Sequence, residues 1–155
     1  MSTANFTWYD IAKREAGVKE LQGIADHPRI VEYHSTTTLR ATDDEVPWCS
    51  SFVNWCVQRA GYVGTRSAAA RSWAKWGVKI DKPVAGCIVV MTRTGGGHVG
   101  FYEAHDDSTV QVLGGNQDDA VNVRKFRAAR VLCYVLPAKL NDKDAMTYEQ
   151  MKVQA

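Results

Sequence analysis

The hydrophobic pattern of this 155-residue chain changes period once, near Pro83, and that change limits the folds open to it. Up to Trp76 the apolar residues recur at helical spacing. Thr7 can cap a segment through Ala16, with Asp10 at the capping-box position and Gly17 as its stop. Asp26 can cap a short turn carrying Pro28, Ile30, Val31 and Tyr33, and residues 35–44 are polar and loop-like. A helix follows over 49–60, and Thr65 or Ser67 opens another, Ala68 to Trp76, closed by Gly77. Beyond Pro83 the apolar runs are short and of strand composition: Cys87–Met91, His98–Glu103, Thr109–Leu113 and Ala129–Leu136. A helical half followed by consecutive short strands specifies an α+β domain whose antiparallel sheet can curl into a small barrel. Residues 1–137 read as one domain, and 138–155 as a polar tail that frays or forms a marginal helix.

Composition removes several function classes. The formal charge of +2, from 19 Lys and Arg against 17 Asp and Glu, is too small and too dispersed for a nucleic-acid binder. No apolar run reaches the length of a membrane span, and the first eight residues lack the basic start and apolar core of a Sec signal. Synthesis in the cytoplasm is therefore the expectation. The four cysteines, Cys49, Cys56, Cys87 and Cys133, fit reduced thiols. Cys49 and Cys56 lie seven apart on one helix, about 10 Å along its axis, too far for a disulfide. The spacings of His27, His34, His98 and His105 to the cysteines suit no zinc site, so no metal is expected.

Cys49 is the candidate nucleophile. Apolar residues at Cys49, Phe52, Val53, Cys56, Val57 and Ala60 put it at the first turn of an amphipathic helix. There the unpaired backbone N–H groups and the helix dipole favour the thiolate, the reactive form. Taken alone, a buried cysteine is more often a small core residue than a nucleophile. Trp48, Trp55, Trp73 and Trp76 read first as core, with Trp48 also placed to line a groove beside the thiol. Asp43, Asp44 and Glu45 read as a solvated loop, from which Glu45 can meet a substrate amine.

A cysteine nucleophile needs a base, and the base needs an orienting group. His98 follows three glycines and opens a strand, while His105 lies about 23 Å along the same strand, too far to share the site. If residues 106–108 form the hairpin turn, His105 pairs with Thr109, and the same register sets His98 opposite Asn116. Cross-strand neighbours stand about 5 Å apart on one face, so the Asn116 amide oxygen can accept from the imidazole. Glu103, an odd number of residues from His98, points to the other face. A one-residue slip in the turn would reverse these assignments.

The segments Pro47-Trp48-Cys49-Ser50-Ser51-Phe52-Val53-Asn54-Trp55, Gly97-His98-Val99-Gly100-Phe101-Tyr102 and Val112-Leu113-Gly114-Gly115-Asn116-Gln117 resemble the CHAP and NlpC-type cysteine hydrolases. The likeness extends from Trp8 to about Leu136. It is closest to a small phage- and bacterium-borne CHAP-like subgroup with Asp-Glu-Val-Pro-Trp-Cys-Ser and Gly-Gly-Asn-Gln signatures. It implies a papain-like fold in which a nucleophile helix packs on a small antiparallel sheet, with Cys49 as nucleophile, His98 as base and Asn116 as orienting residue. Many relatives carry a Glu where this chain has Gly114, and Gly-Asp where it has Gly86-Cys87. The resemblance further implies cleavage of a peptidoglycan amide without a cofactor, by an amidase or by a stem or crossbridge endopeptidase. Trp48 and Glu45 would contact substrate. The expected setting is a monomeric phage lysin or interbacterial effector reaching the wall after release or secretion, the effector with secretion machinery and an immunity protein as partners. The alternatives are a non-catalytic wall-binding module and a cysteine acyltransferase using the same three residues.

Overall fold

A computed structural model describes residues 4–21, 27–37 and 48–154. Three helices come first: α1 (Thr7–Arg14), α2 (Pro28–His34) and α3 (Cys49–Arg59), then a 3-10 helix, Ala70–Lys75. The strands are β1 (Val78–Ile80), β2 (Ile88–Arg93), β3 (Gly96–His105), β4 (Thr109–Gly114), β5 (Asn122–Arg127) and β6 (Val131–Leu136), and α4 (Asp142–Gln154) closes the order. One six-stranded sheet results, in the order β1-β6-β2-β3-β4-β5, with every neighbouring pair antiparallel. This is the expected α+β fold of papain-like type, a helical half laid on an antiparallel sheet. The sheet stays open, with β1 and β5 as its edges.

The layers meet through aromatic and aliphatic side chains. Phe52 of α3 meets Phe101 of β3 edge-on at 6.2 Å, and Tyr9 of α1 tilts against the same ring at 6.4 Å. Ile88 and Leu113, the cross-strand partners of Phe101 on either side, are also fully or almost fully buried. Every residue of α3 from Cys49 to Val57 is buried, so this helix is enclosed all round rather than along a stripe. Its polar members are paired accordingly. Ser50 Oγ donates to Ser67 O and accepts from Trp73 Nε1, while Asn54 Oδ1 accepts from Arg66 N. Asn54 thereby holds the loop in which Arg66 adopts a left-handed φ of 60°.

Helix ends differ from the sequence expectation in informative ways. Phe6, not Thr7, occupies the N-cap of α1, and the Thr7 N–H and hydroxyl donate to the two carboxylate oxygens of Asp144, each at 2.8 Å. His27 caps α2, its Nδ1 accepting from Arg29 N; Asp26 lies outside the described residues. The polar segment 138–155 is not frayed over its described part. It forms α4, held by fully buried Asp144, which also accepts from Tyr62 Oη at 2.6 Å.

Candidate active site

Three elements converge on the candidate site. Cys49 is the first residue of α3, His98 lies near the start of β3, and the Gly114-Gly115-Asn116-Gln117 segment leaves the end of β4. The Cys49 side chain is buried against β3 where β4 has ended, and the Val99 backbone N–H is turned to its sulphur. Burial pushes the Cys49 thiol up, and the N–H groups of Val99, Ser50 and Cys49 together with the Arg93 guanidinium pull it down without overcoming that cost. The helix start thus acts in the expected direction, yet desolvation leaves the resting sulphur as a thiol.

His98 is almost fully buried and its Nε2 lies 2.9 Å from Gln117 Oε1. The tautomer follows from the other end of that amide. Gln117 Nε2 donates to Val112 O, Asn122 O and Asn122 Oδ1, so the atom facing His98 is the acceptor oxygen. Nε2 therefore carries the ring proton, and Nδ1 keeps the lone pair. Burial, with Arg93 and Arg130 nearby, lowers the His98 pKa to about 4 even though the Gln117 bond raises it, so the ring is neutral at pH 7. Phe126 packs beside the imidazole at 5.2 Å. Among the described residues no hydrogen bond joins the Cys49 thiol to His98.

Asn116, the sequence candidate for the orienting role, lines the same cavity as His98, but Gln117 holds the imidazole. The register explains why. Phe101 pairs with Leu113 and Tyr102 with Val112, as expected, while the turn is one residue longer than expected and His105 faces Val110. A bulge between Tyr102 and Ala104 absorbs the extra residue. The ladder then stops at Gly114, so Asn116 has no cross-strand position opposite His98; it turns at φ 58°, and the next side chain folds back onto the ring. Asn tolerates that left-handed backbone better than most residues. The glycines serve close approach. A Cβ on Gly115 would stand 2.7 Å from the Trp48 ring and 2.8 Å from Phe52 Cβ, and one on Gly114 2.5 Å from Gln117 Oε1.

The remaining candidates separate. Trp48 is fully buried, donates from Nε1 to Glu20 Oε1 at 2.7 Å and tilts on Tyr33, so it is core and offers no ring to a substrate. Glu45 lies outside the described residues. Glu103 points away from His98, as expected, and accepts from Tyr9 Oη. His105 sits at the far end of β3, its Nδ1 2.5 Å from Tyr102 Oη. Cys87 is a buried core thiol, pushed up to about 12 by burial. Gln117 was legible only as part of a glycine-rich turn; the signal that could have found it is a second amide directly after Asn116.

A thiol opening a helix that is seated on an antiparallel sheet, with an imidazole from the adjoining strand, places the molecule among the papain-like α+β proteins. The comparison of sequence families is narrower: residues 41–116 match the family model of the CHAP domain, a match consistent with a CHAP-type domain. The match runs through α3 to the turn after β4, stopping one residue before Gln117. It supports peptidoglycan hydrolase chemistry in the general sense. No curated protein matches the chain.

Proposed function

We propose that this protein is a cysteine amidohydrolase of peptidoglycan in which Cys49 is the nucleophile and His98 the base. The observation that carries the reading is the tautomer of His98: the Gln117 oxygen fixes the proton on Nε2 and leaves Nδ1 as a neutral acceptor, with Cys49 on the neighbouring helix start. In the proposed reaction His98 Nδ1 takes the Cys49 Sγ proton as sulphur attacks the amide carbonyl. The C–N bond breaks, the departing amine takes the proton from His98, and water releases the acyl group from the thioester. The Cys49 backbone N–H, at the start of α3, is a donor to the oxyanion. Gln117 is a positioning residue, and Asn116 a wall of the site. Because both partners rest uncharged, proton transfer accompanies substrate engagement rather than preceding it.

Cys49→Ala should abolish release of soluble muropeptides from purified sacculi while leaving the circular dichroism spectrum and melting temperature near wild type. Undiminished lysis by that variant removes the nucleophile assignment. Mass spectrometry of the digest names the bond: a free alanine amine on an intact stem marks an amidase, a split stem or crossbridge an endopeptidase. The second reading, a wall-binding module without turnover, is favoured by the lack of a hydrogen bond between Cys49 and His98 among the described residues. Sacculus binding by the wild-type protein with no muropeptide release would establish it.

A further inference from the structure

A cavity of about 220 Å³ opens beside His98, bounded by the 116–118 turn and by Phe126. Its charge is one-sided. Arg93 from the end of β2, Arg124 and Lys125 from β5, and Arg130 from the 3-10 turn Ala128–Arg130 line it, against the single carboxylate of Asp118. In a chain whose formal charge is only +2, four cations from three elements around one small cavity do not follow from composition. Asp118 forms its ion pair with Arg124. Among the described residues Arg93 and Lys125 have no carboxylate partner. Arg130 is pre-oriented: its Nε donates to Thr92 O at 3.0 Å and its guanidinium lies over the Phe126 ring at 5.5 Å, which leaves its terminal nitrogens to a ligand. Cations gathered around one cavity attract an anion more strongly than the same charges dispersed over the surface.

Resting on the hydrolase reading above, we propose that this cavity is a carboxylate subsite, selecting wall stem peptides that carry a free carboxylate close to the amide being cut. A guanidinium fork held beside an apolar ring suits a planar carboxylate on an aliphatic stem, bound bidentately. The volume takes a carboxylate with a few methylenes or waters, since one water occupies about 30 Å³ of liquid. Its position on the Gln117 side of the imidazole puts the bound carboxylate behind the base. The lining includes His98 but not Cys49, so a substrate anchored there has to extend past the imidazole to bring its neighbouring amide to the sulphur. An anion beside Arg93 and Arg130 also offsets the charges that depress His98, so the bound carboxylate makes the base stronger.

The test uses two synthetic stem peptides that differ only in bearing a carboxylate or a carboxamide on the acidic residue next to the scissile bond. The wild-type protein should cleave the carboxylate peptide with at least tenfold higher kcat/KM. In the doubly substituted Arg124→Gln, Lys125→Gln protein, which keeps Arg93 and Arg130, that ratio should fall at least threefold, through KM rather than kcat. Both residues lie on an edge strand and are exposed, so the substitution leaves the core intact, which a melting curve verifies. Equal kcat/KM for the two peptides in the wild-type protein overturns the subsite and leaves the hydrolase reading standing. If neither peptide is cleaved, the sacculus digest decides the hydrolase reading, and calorimetric titration of the Cys49→Ala protein decides the subsite alone. Preference for the carboxylate peptide, reduced with Arg124→Gln, Lys125→Gln, supports it; equal affinity for both, or displacement by a phosphate-rich polymer but not by the carboxylate peptide, overturns it.

Discussion

Gln117 illustrates how one amide can set the chemistry of a neighbour. Its nitrogen serves three acceptors, so its oxygen has to face His98, and the imidazole has to present a proton there. Replacing it with Leu removes the acceptor and strands the Nε2–H, with kcat/KM expected to drop about 100-fold, the scale of a positioned general base. Gln117→Glu separates positioning from packing, because it keeps the acceptor and adds charge. An anion at that distance favours the imidazolium, so the acid limb of the pH–rate profile should move up from about 4 by one unit or more. An unmoved limb would show that the bond does not reach the reacting centre. At this scale the position of Cys49 at a helix start and of His98 near a strand start was legible in the sequence, since both follow from local periodicity. It did not reveal that the strand stops before Asn116, nor that Trp48 turns inward to meet Glu20 and Tyr33, since both depend on contacts between distant segments.

Among the elements, α4 departs most from its sequence. The segment is polar and reads as a marginal helix by itself, and what fixes it is one buried carboxylate. Asp144 accepts from the N–H and hydroxyl of Thr7 and from Tyr62 Oη, so it joins the start of α1, the loop after α3 and α4 at one point. Asp144→Ala leaves three donors without their acceptor, and about 2–4 kcal/mol of stability should go with it. Urea unfolding measures that loss, and a midpoint within error of wild type would show that α4 is only loosely attached. Strands β1 and β5 were missed for a related reason. One is three residues long, and the other, Asn-Val-Arg-Lys-Phe-Arg, is mostly charged because it forms a sheet edge; edges favour charge over the alternation that marks interior strands. The interior strands β2, β3 and β4 were legible, being buried and apolar.

For the whole molecule, the buried His98 makes stability sensitive to acid. Its pKa of about 4 in the fold lies below the ordinary 6.5, so between those values the unfolded chain binds a proton that the folded chain refuses. The contribution is complete above 6.5, declines as the pH falls, and levels off below about 4, at a total near 3 kcal/mol. Asp106, an exposed turn residue whose carboxylate is bonded by the N–H groups of Ser108 and Thr109, is lowered from 3.8 to about 2, so its own loss comes at still lower pH and the two windows separate. Urea midpoints at pH 7 and 4.5 should therefore differ in the wild-type protein and converge in His98→Gln. An equal difference in both would assign the acid sensitivity elsewhere.

The extra residue at Glu103 divides the β3–β4 hairpin into two mechanical parts. The hairpin tip beyond it runs one register step away from the half that carries His98, and the bulge takes up the difference. It works as an expansion joint: the outer loop can gain or shed length, or accept a grafted recognition segment, while Phe101, Leu113 and the imidazole stay in step. In this fold the part that must hold still and the part that is open to variation sit on the same two strands, separated by a single residue.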